Sequence, residues 1–179
     1  ALLSRGLGDV YKRQHLQSAM PSSFGLWLSS YAESMIDDIL FFNTAYEINN
    51  QNPLGSAAGY GSSFKIDREF TTKELGFGQL KYNVVASQMN RGKIEKSVSI
   101  AISSIATTLS TFCADICLYM SQEFNFITFP DELTTGSSIM PHKKNPDVFE
   151  LIRSKCNSLK ALPNEFNLMS NNLTSGYHR

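Results

Sequence analysis

The segment GKIEKSVSIAISSIATTLSTFCADICLYMSQEFNFITFP, residues 92–130, runs from a glycine to a proline with neither residue type in between. Along it Ile94, Val98, Ile102, Ile105, Leu109, Phe112, Ile116 and Tyr119 recur at steps of four, four, three, four, three, four and three. That spacing lines one stripe of a helix and approaches a heptad seam, so it predicts an α-helix over 92–124. At 1.5 Å per residue such a helix would be about 50 Å long. A compact domain of this size is narrower than that, so part of the apolar face needs partners from elsewhere. Either other helices of one chain supply them or, the preferred reading, other subunits do.

Working outward, Phe24, Trp27, Leu28, Tyr31, Met35, Ile39, Phe42 and Tyr46 form a second stripe stepping by three or four. They predict an amphipathic helix, with Ser22 or Ser23 after Pro21 as its N-cap. The run Asn49-Asn50-Gln51-Asn52-Pro53 and the glycines Gly55, Gly59 and Gly61 end it in a loop. A short helical stretch is expected at 71–75. Residues 124–144 read as loop, punctuated by Asn125, Pro130, Gly136 and Pro141. Helix restarts with Asn145 as N-cap, Pro146 at the first helical position and Asp147 in the first turn, and runs towards Pro163. No convincing strand of useful length is found. The expected fold class is therefore all-α, a long-helix bundle.

Composition narrows the function. Of 179 residues, 42% are hydrophobic and 18% charged, which favours a globular chain over a disordered one. Lys+Arg and Asp+Glu balance at 16 each, against a nucleic-acid or anionic-membrane footprint. No unbroken apolar run reaches 18 residues, so no membrane span is expected. Cys113, Cys117 and Cys156 are odd in number and show no disulfide framework, which suits a reducing cytoplasm. Cys113 and Cys117 stand one helical turn apart, but no His or acid joins them at ligand spacing. Buried core thiols are the better reading, and no metal site is expected.

The chemistry-bearing segment is Gly136-Ser137-Ser138-Ile139-Met140-Pro141-His142-Lys143-Lys144-Asn145-Pro146. A flexible Gly-Ser-Ser turn delivers hydroxyls, and cations and an amide follow at a helix start. The free N–H groups there, with Lys143 and Asn145, suit a carboxylate or a developing oxyanion. A serine beside such a positive site can have its alkoxide stabilised, as a serine acting as base requires. Composition alone leaves two readings open, an anion-binding loop and a solvated basic turn.

The string GSSIMPHKKNPD, residues 136–147, resembles the signature loop of the fumarase/aspartase superfamily, G-S-S-x-M-P-x-K-x-N. Its extension KKNPDVFELIRSK is closer to the argininosuccinate lyase branch than to the adenylosuccinate lyase branch, where an Arg usually follows the first Lys. Residues 52–77 (NPLGSAAGYGSSFKIDREFTTKELGF) are similar to the family's PLGSGA…IDRE…LGF stretch, and 15–38 (HLQSAMPSSFGLWLSSYAESMIDD) to its T-H-L-Q…P segment.

The resemblance implies roles residue by residue. Ser137 would be the general base that takes the proton from the carbon beside a substrate carboxylate. Lys143 and Asn145 would hold that carboxylate as it gathers charge, with Ser138 and Tyr177 completing the substrate-binding set. His15 matches the histidine of T-H-L-Q, an acid or orienting group for the leaving nitrogen, and Glu150 matches the carboxylate that pairs with it. The implied reaction is β-elimination of argininosuccinate, a small-molecule substrate, to arginine and fumarate. No metal or organic cofactor is implied, and the assembly is a homotetramer with sites built from three subunits. Another lyase of the superfamily, such as adenylosuccinate lyase, is the alternative; so is a non-enzymatic helical assembly protein of the same fold. Without the family, His15 is an exposed chain-end histidine, Glu150 a solvated first-turn acid and Asp67-Arg68-Glu69 a structural ion-pair cluster. Gln14 stands where the family has Thr, and the family's N-terminal domain and the Gln and Lys beyond Arg179 are missing. Both ends therefore read as truncations. Residues 1–14 are expected to be a non-native tail, and 15–179 part of the central helical-bundle domain.

Overall fold

The computed structural model describes residues 10–14 and 16–175. The elements in order are β1 (Val10–Gln14), β2 (Gln17–Ser22), α1 (Phe24–Asn49), β3 (Gln51–Asn52), α2 (Arg68–Glu74), β4 (Gln79–Leu80), α3 (Val84–Met89), α4 (Lys93–Tyr119), a 3-10 turn (Asp131–Leu133) and α5 (Asp147–Met169). Helices dominate, as the sequence predicts. Two compact units divide them. One holds the chain up to Asp37 with Ser104–Leu159; the other holds Asp38–Ser103 with the chain from Lys160 onward.

The first unit is organised around the meeting of α1 and α4. Ser23 caps α1, its hydroxyl accepting the Leu26 N–H at 3.1 Å. Trp27 stacks on Phe112 with centroids 6.0 Å apart, and Tyr31 meets the same ring edge-on at 5.0 Å. The polar ends of both α1 aromatics converge on one carboxylate oxygen. Trp27 Nε1–H donates to Asp115 Oδ2 at 3.2 Å and the Tyr31 hydroxyl at 2.6 Å. A part-buried acid thus has two donors, as a carboxylate withdrawn from water requires. Burial, then the Asp115 bond and charge, hold the Tyr31 phenol well above its ordinary pKa.

α4 ends at Tyr119, five residues short of the expected 124, and at 27 residues is about 40 Å long. Its last carbonyl explains the stop. The Tyr119 oxygen accepts the N–H of Phe126 at 2.9 Å and of Ile127 at 3.3 Å, a return made possible by Asn125 at φ 45°. Small residues sit where α4 is most enclosed: Ser99, Ala101, Ala106 and Cys113 are buried, with Ile116 the large exception. Eight serines and threonines interrupt its apolar run. Averaged over a window, α4 is nonetheless the one helix among the described residues long and apolar enough to cross a membrane by length and composition.

α1 departs from its predicted stripe in the second half. Asp38 and Ala45 are buried there, while Ile39, Phe42 and Tyr46 are exposed. The inward line follows 31, 35, 38 and 45. Beyond Tyr31 the apolar Ile36, Ile39, Leu40, Phe42 and Tyr46 are left exposed among the described residues.

The second unit is held by polar bonds. Asn52, fully buried, lies in β3, which pairs in parallel with β4 in the register Gln51↔Gln79 and Asn52↔Leu80. Its carboxamide donates to Thr72 Oγ1 at 2.8 Å and accepts the Leu54 N–H at 2.9 Å. Asp67 caps α2 by accepting the Phe70 N–H at 2.8 Å. Arg68 donates to the carbonyls of Leu54 (2.9 Å), Tyr82 (3.0 Å) and Lys81 (2.7 Å). Asp67 and Arg68 are therefore structural, as expected, but through a cap and backbone carbonyls rather than ion pairs. Gly55 adopts φ 78°, and a Cβ there would come within 2.8 Å of Arg68 Cγ. Only glycine serves at that turn.

Three further differences concern local rules. α2 begins at Arg68, three residues before the expected stretch, because Asp67 supplies the cap. α5 continues through Pro163 to Met169 instead of ending near it. A proline inside a helix removes one backbone bond and costs about 3 kcal/mol, and the residues on either side outweigh it. Strands that the sequence did not announce are present as an antiparallel hairpin, β1 against β2, with Val10↔Ser22 and Gln14↔Gln17. β2 is largely exposed, so it carries no inward apolar alternation from which a strand is recognised. Of the stretch read as a non-native tail, 10–14 form β1 and 1–9 lie outside the described residues.

Candidate active site

The Gly-Ser-Ser segment leaves a short 3-10 turn and returns to a long helix, and its two limbs are tied where they meet. Thr135 and Asn145 form an isolated antiparallel bridge. The Asn145 N–H donates to the Thr135 carbonyl at 2.8 Å, and the Thr135 N–H to the Asn145 carbonyl at 3.2 Å. Ser137 and Lys143 each stand two residues in from the bridged pair, Ser137 after Thr135 and Lys143 before Asn145. The limbs do run close there, since a Cβ built on Gly136 would stand 3.6 Å from the Lys143 carbonyl. Two turns close the tip: the Met140 N–H donates to the Ser137 carbonyl (3.2 Å) and the Lys143 N–H to the Met140 carbonyl (2.9 Å).

The helix below opens at Asp147, one residue later than the capping pattern suggests. The backbone of Asn145 is committed to the bridge. The Pro146 carbonyl instead accepts the first helical amides, Phe149 at 3.0 Å and Glu150 at 3.1 Å. Ser137 and Asn145 are half-buried, whereas Ser138, His142 and Lys143 are exposed. The loop that carries the serine hydroxyls, the lysine and the asparagine thus leads directly into the start of α5, whose dipole places partial positive charge there. That arrangement can hold an anion and lower the energy of an alkoxide or enolate-like oxygen.

Glu150, in the first turn of α5, is exposed. Its charge reaches Cys117, whose thiol is raised chiefly by burial, lowered by Arg153 and raised by Glu150. Burial also raises the buried thiol of Cys113, with Cys156 and Cys117 adding to it. Cys113 and Cys117 are therefore held as thiols at neutral pH. The structure therefore brings Ser137, Ser138, Lys143 and Asn145 into one loop and sets Glu150 one turn beyond it. His15 and Tyr177 lie outside the described residues.

Sequence reasoning missed two side-chain pairs at this loop. The Thr135 hydroxyl bonds the Asp147 carboxylate, and Lys144 pairs with Asp131. A β-branched residue immediately before Gly136, with an acid twelve positions on, was the available signal.

The comparisons with known proteins agree with this picture. A family model described as "Lyase" matches residues 10–159. The argininosuccinate lyase of Phocaeicola vulgatus is 61% identical over 165 residues, 92% of this chain and 37% of the relative. That of Thermotoga neapolitana is 41% identical over the same share of this chain and 42% of its own length. The chain thus spans well under half the length of these relatives. Among solved structures, an EDDS lyase in complex with formate superposes with a TM-score of 0.86 at 25% identity, covering 95% of this chain and 34% of that one. A class II fumarase from Schistosoma mansoni, at 22% identity, shares the fold with a TM-score of 0.69 over 84% of this chain and 36% of that one. With the family model covering the serine loop and most of the helical scaffold around it, the chain belongs to this lyase family.

Proposed function

We propose that this chain is the serine-loop portion of an argininosuccinate lyase, an enzyme that cleaves argininosuccinate to arginine and fumarate by β-elimination. What supports the reading most is the serine loop itself, with Ser137 and Lys143 on the segment whose limbs the Thr135–Asn145 bridge ties at the start of α5. Relatives about 60% identical and named for this reaction supply the substrate. Ser137 Oγ, as alkoxide, takes the proton from the carbon adjacent to a substrate carboxylate. The electron pair left behind moves into that carboxylate, where Lys143, Asn145 and the helix start meet the growing charge. Return of the pair forms the carbon–carbon double bond of fumarate and expels the nitrogen of arginine. An acid must protonate that nitrogen, and His15, oriented by Glu150, is the candidate. Ser138 and Tyr177 bind substrate. These residues need no metal or organic cofactor.

The working assembly is a cytoplasmic homotetramer in which other subunits, rather than lipid or nucleic acid, cover α4 and the outward face of α1. Supporting this are the exposed Ile36, Ile39, Leu40 and Tyr46 along one helix. The test is fumarate release, followed by its ultraviolet absorbance, from argininosuccinate and separately from adenylosuccinate, using the full-length assembled protein. Turnover of argininosuccinate alone is expected, and this 179-residue chain by itself should turn over neither. Adenylosuccinate as the preferred substrate would replace this reading with the sister activity.

A further inference from the structure

The base of the serine loop carries a bond that the chemistry above does not use. The Thr135 hydroxyl donates to Asp147 Oδ2 on the first turn of α5. Thr135 also exchanges both backbone bonds with Asn145. Three bonds from one residue therefore join the limb that leads into Ser137 both to the returning limb and to the helix. The nearby ion pair of Lys144 with Asp131 is exposed, 55% and 79% at the side chains, and the Thr135–Asp147 bond is exposed too. Solvent and salt screen such a pair to about 0–1 kcal/mol, whereas Thr135 adds two backbone bonds to its side-chain bond. Ser137 lies two residues beyond Thr135, with glycine between them. Gly136 gives the backbone freedom to swing, and Thr135 is the last fixed point before it.

We propose that Thr135 is a positioning residue, its hydroxyl bond to Asp147 fixing the swing of Ser137 relative to Lys143 and the start of α5. The catalytic consequence rests on the lyase reading; the mechanical one does not. Loss of the hydroxyl removes no group that touches substrate but lets Ser137 sample wrong orientations. Misplacement by about 1 Å costs up to about 100-fold in rate, with little effect on ground-state binding.

The experiment uses the full-length assembled protein with Thr135→Val, which keeps the shape and branching, and Thr135→Ser, which restores the hydroxyl. Thr135→Val should lower kcat about tenfold with KM within twofold, and Thr135→Ser should recover most of the loss. In a Ser137→Ala background Thr135→Val should cause no further loss, because its effect passes through the serine. A general weakening of the fold would instead multiply the two losses and overturn the proposal. Backbone hydrogen exchange over residues 136–145 reads the staple without any reaction. It should quicken in Thr135→Val and not in Thr135→Ser; unchanged exchange or unchanged kcat overturns the proposal. If Thr135→Val does not assemble, Asp147→Ala breaks the same bond from the other side and must show the same coupling to Ser137. A wild-type assembly that releases no fumarate sinks the lyase reading, while exchange still judges Thr135.

Discussion

Asp115 receives both the Trp27 indole N–H and the Tyr31 hydroxyl, so one carboxylate oxygen joins α1 to α4. A hydrogen bond to a charged acceptor contributes about 1.5–3 kcal/mol in favourable cases. Tyr31→Phe keeps the ring against Phe112 and removes only that bond. It should cost about 1–2 kcal/mol in urea unfolding at pH 8. The pH dependence has a definite sign. Burial raises the Tyr31 pKa above its ordinary 10.0, so the folded state holds this proton more tightly than the unfolded state. That contribution is complete below pH 10 and is lost as pH rises above it. Cys113 and Cys117, also raised from 9.0, begin a similar decline from about pH 9. Tyr31→Phe should therefore flatten the loss of stability above pH 10 while leaving the part that begins near pH 9. An unchanged slope above pH 10 would exclude Tyr31 as its source.

At the scale of elements, Arg68 does for the second unit what Asp115 does for the first. Its guanidinium spans the carbonyls of Leu54, Lys81 and Tyr82, binding the turn after β3 to the segment after β4. Arg68→Met keeps much of the stem and removes all three bonds. A loss of about 2–3 kcal/mol in urea unfolding is expected. Arg68→Lys should recover little of it, because one ammonium cannot reproduce a fork aimed at three carbonyls. Full rescue by Lys would mean that charge alone is required. Neither this clamp nor the Thr135–Asn145 bridge was legible in the sequence, because each depends on which distant carbonyl lies within reach. α1 and α4 were legible from their 3.6-residue repeat, α5 from its capping pattern, and the loop from its Gly and Pro punctuation. α3 was not, since six residues hold too few turns to establish a period; its visible mark is Asn83, which caps the amides of Val85 and Ala86. Pro163 misled because a strong local rule yields where a long helix is favoured on both sides. At the site, the residue types were readable at 136–145, but the tie between the two limbs of the loop needed the bridge.

For the whole molecule, the surplus of apolar surface is the main structural fact. Ile36, Ile39, Leu40 and Phe41 are all exposed on α1, and on α4 the seam residues Ile94, Val98, Ile102, Ile105 and Leu109 are only half-buried. The described residues leave those faces open, and the subunit packing proposed above would cover them. Sedimentation of the full-length protein should give a tetramer, and a well-behaved monomer would refute the shared-helix reading. The central claim, however, concerns chemistry, and it turns on Ser137. In the full-length assembly, Ser137→Ala removes the base and leaves Lys143, Asn145 and the helix start intact. Its kcat on argininosuccinate should fall about 10²–10⁴-fold with KM changed little, the usual effect of losing a positioned base. Lys143→Met should worsen both constants, because ground-state carboxylate and transition-state oxyanion share that cation. Fumarate release by Ser137→Ala at near-normal turnover would contradict the account directly.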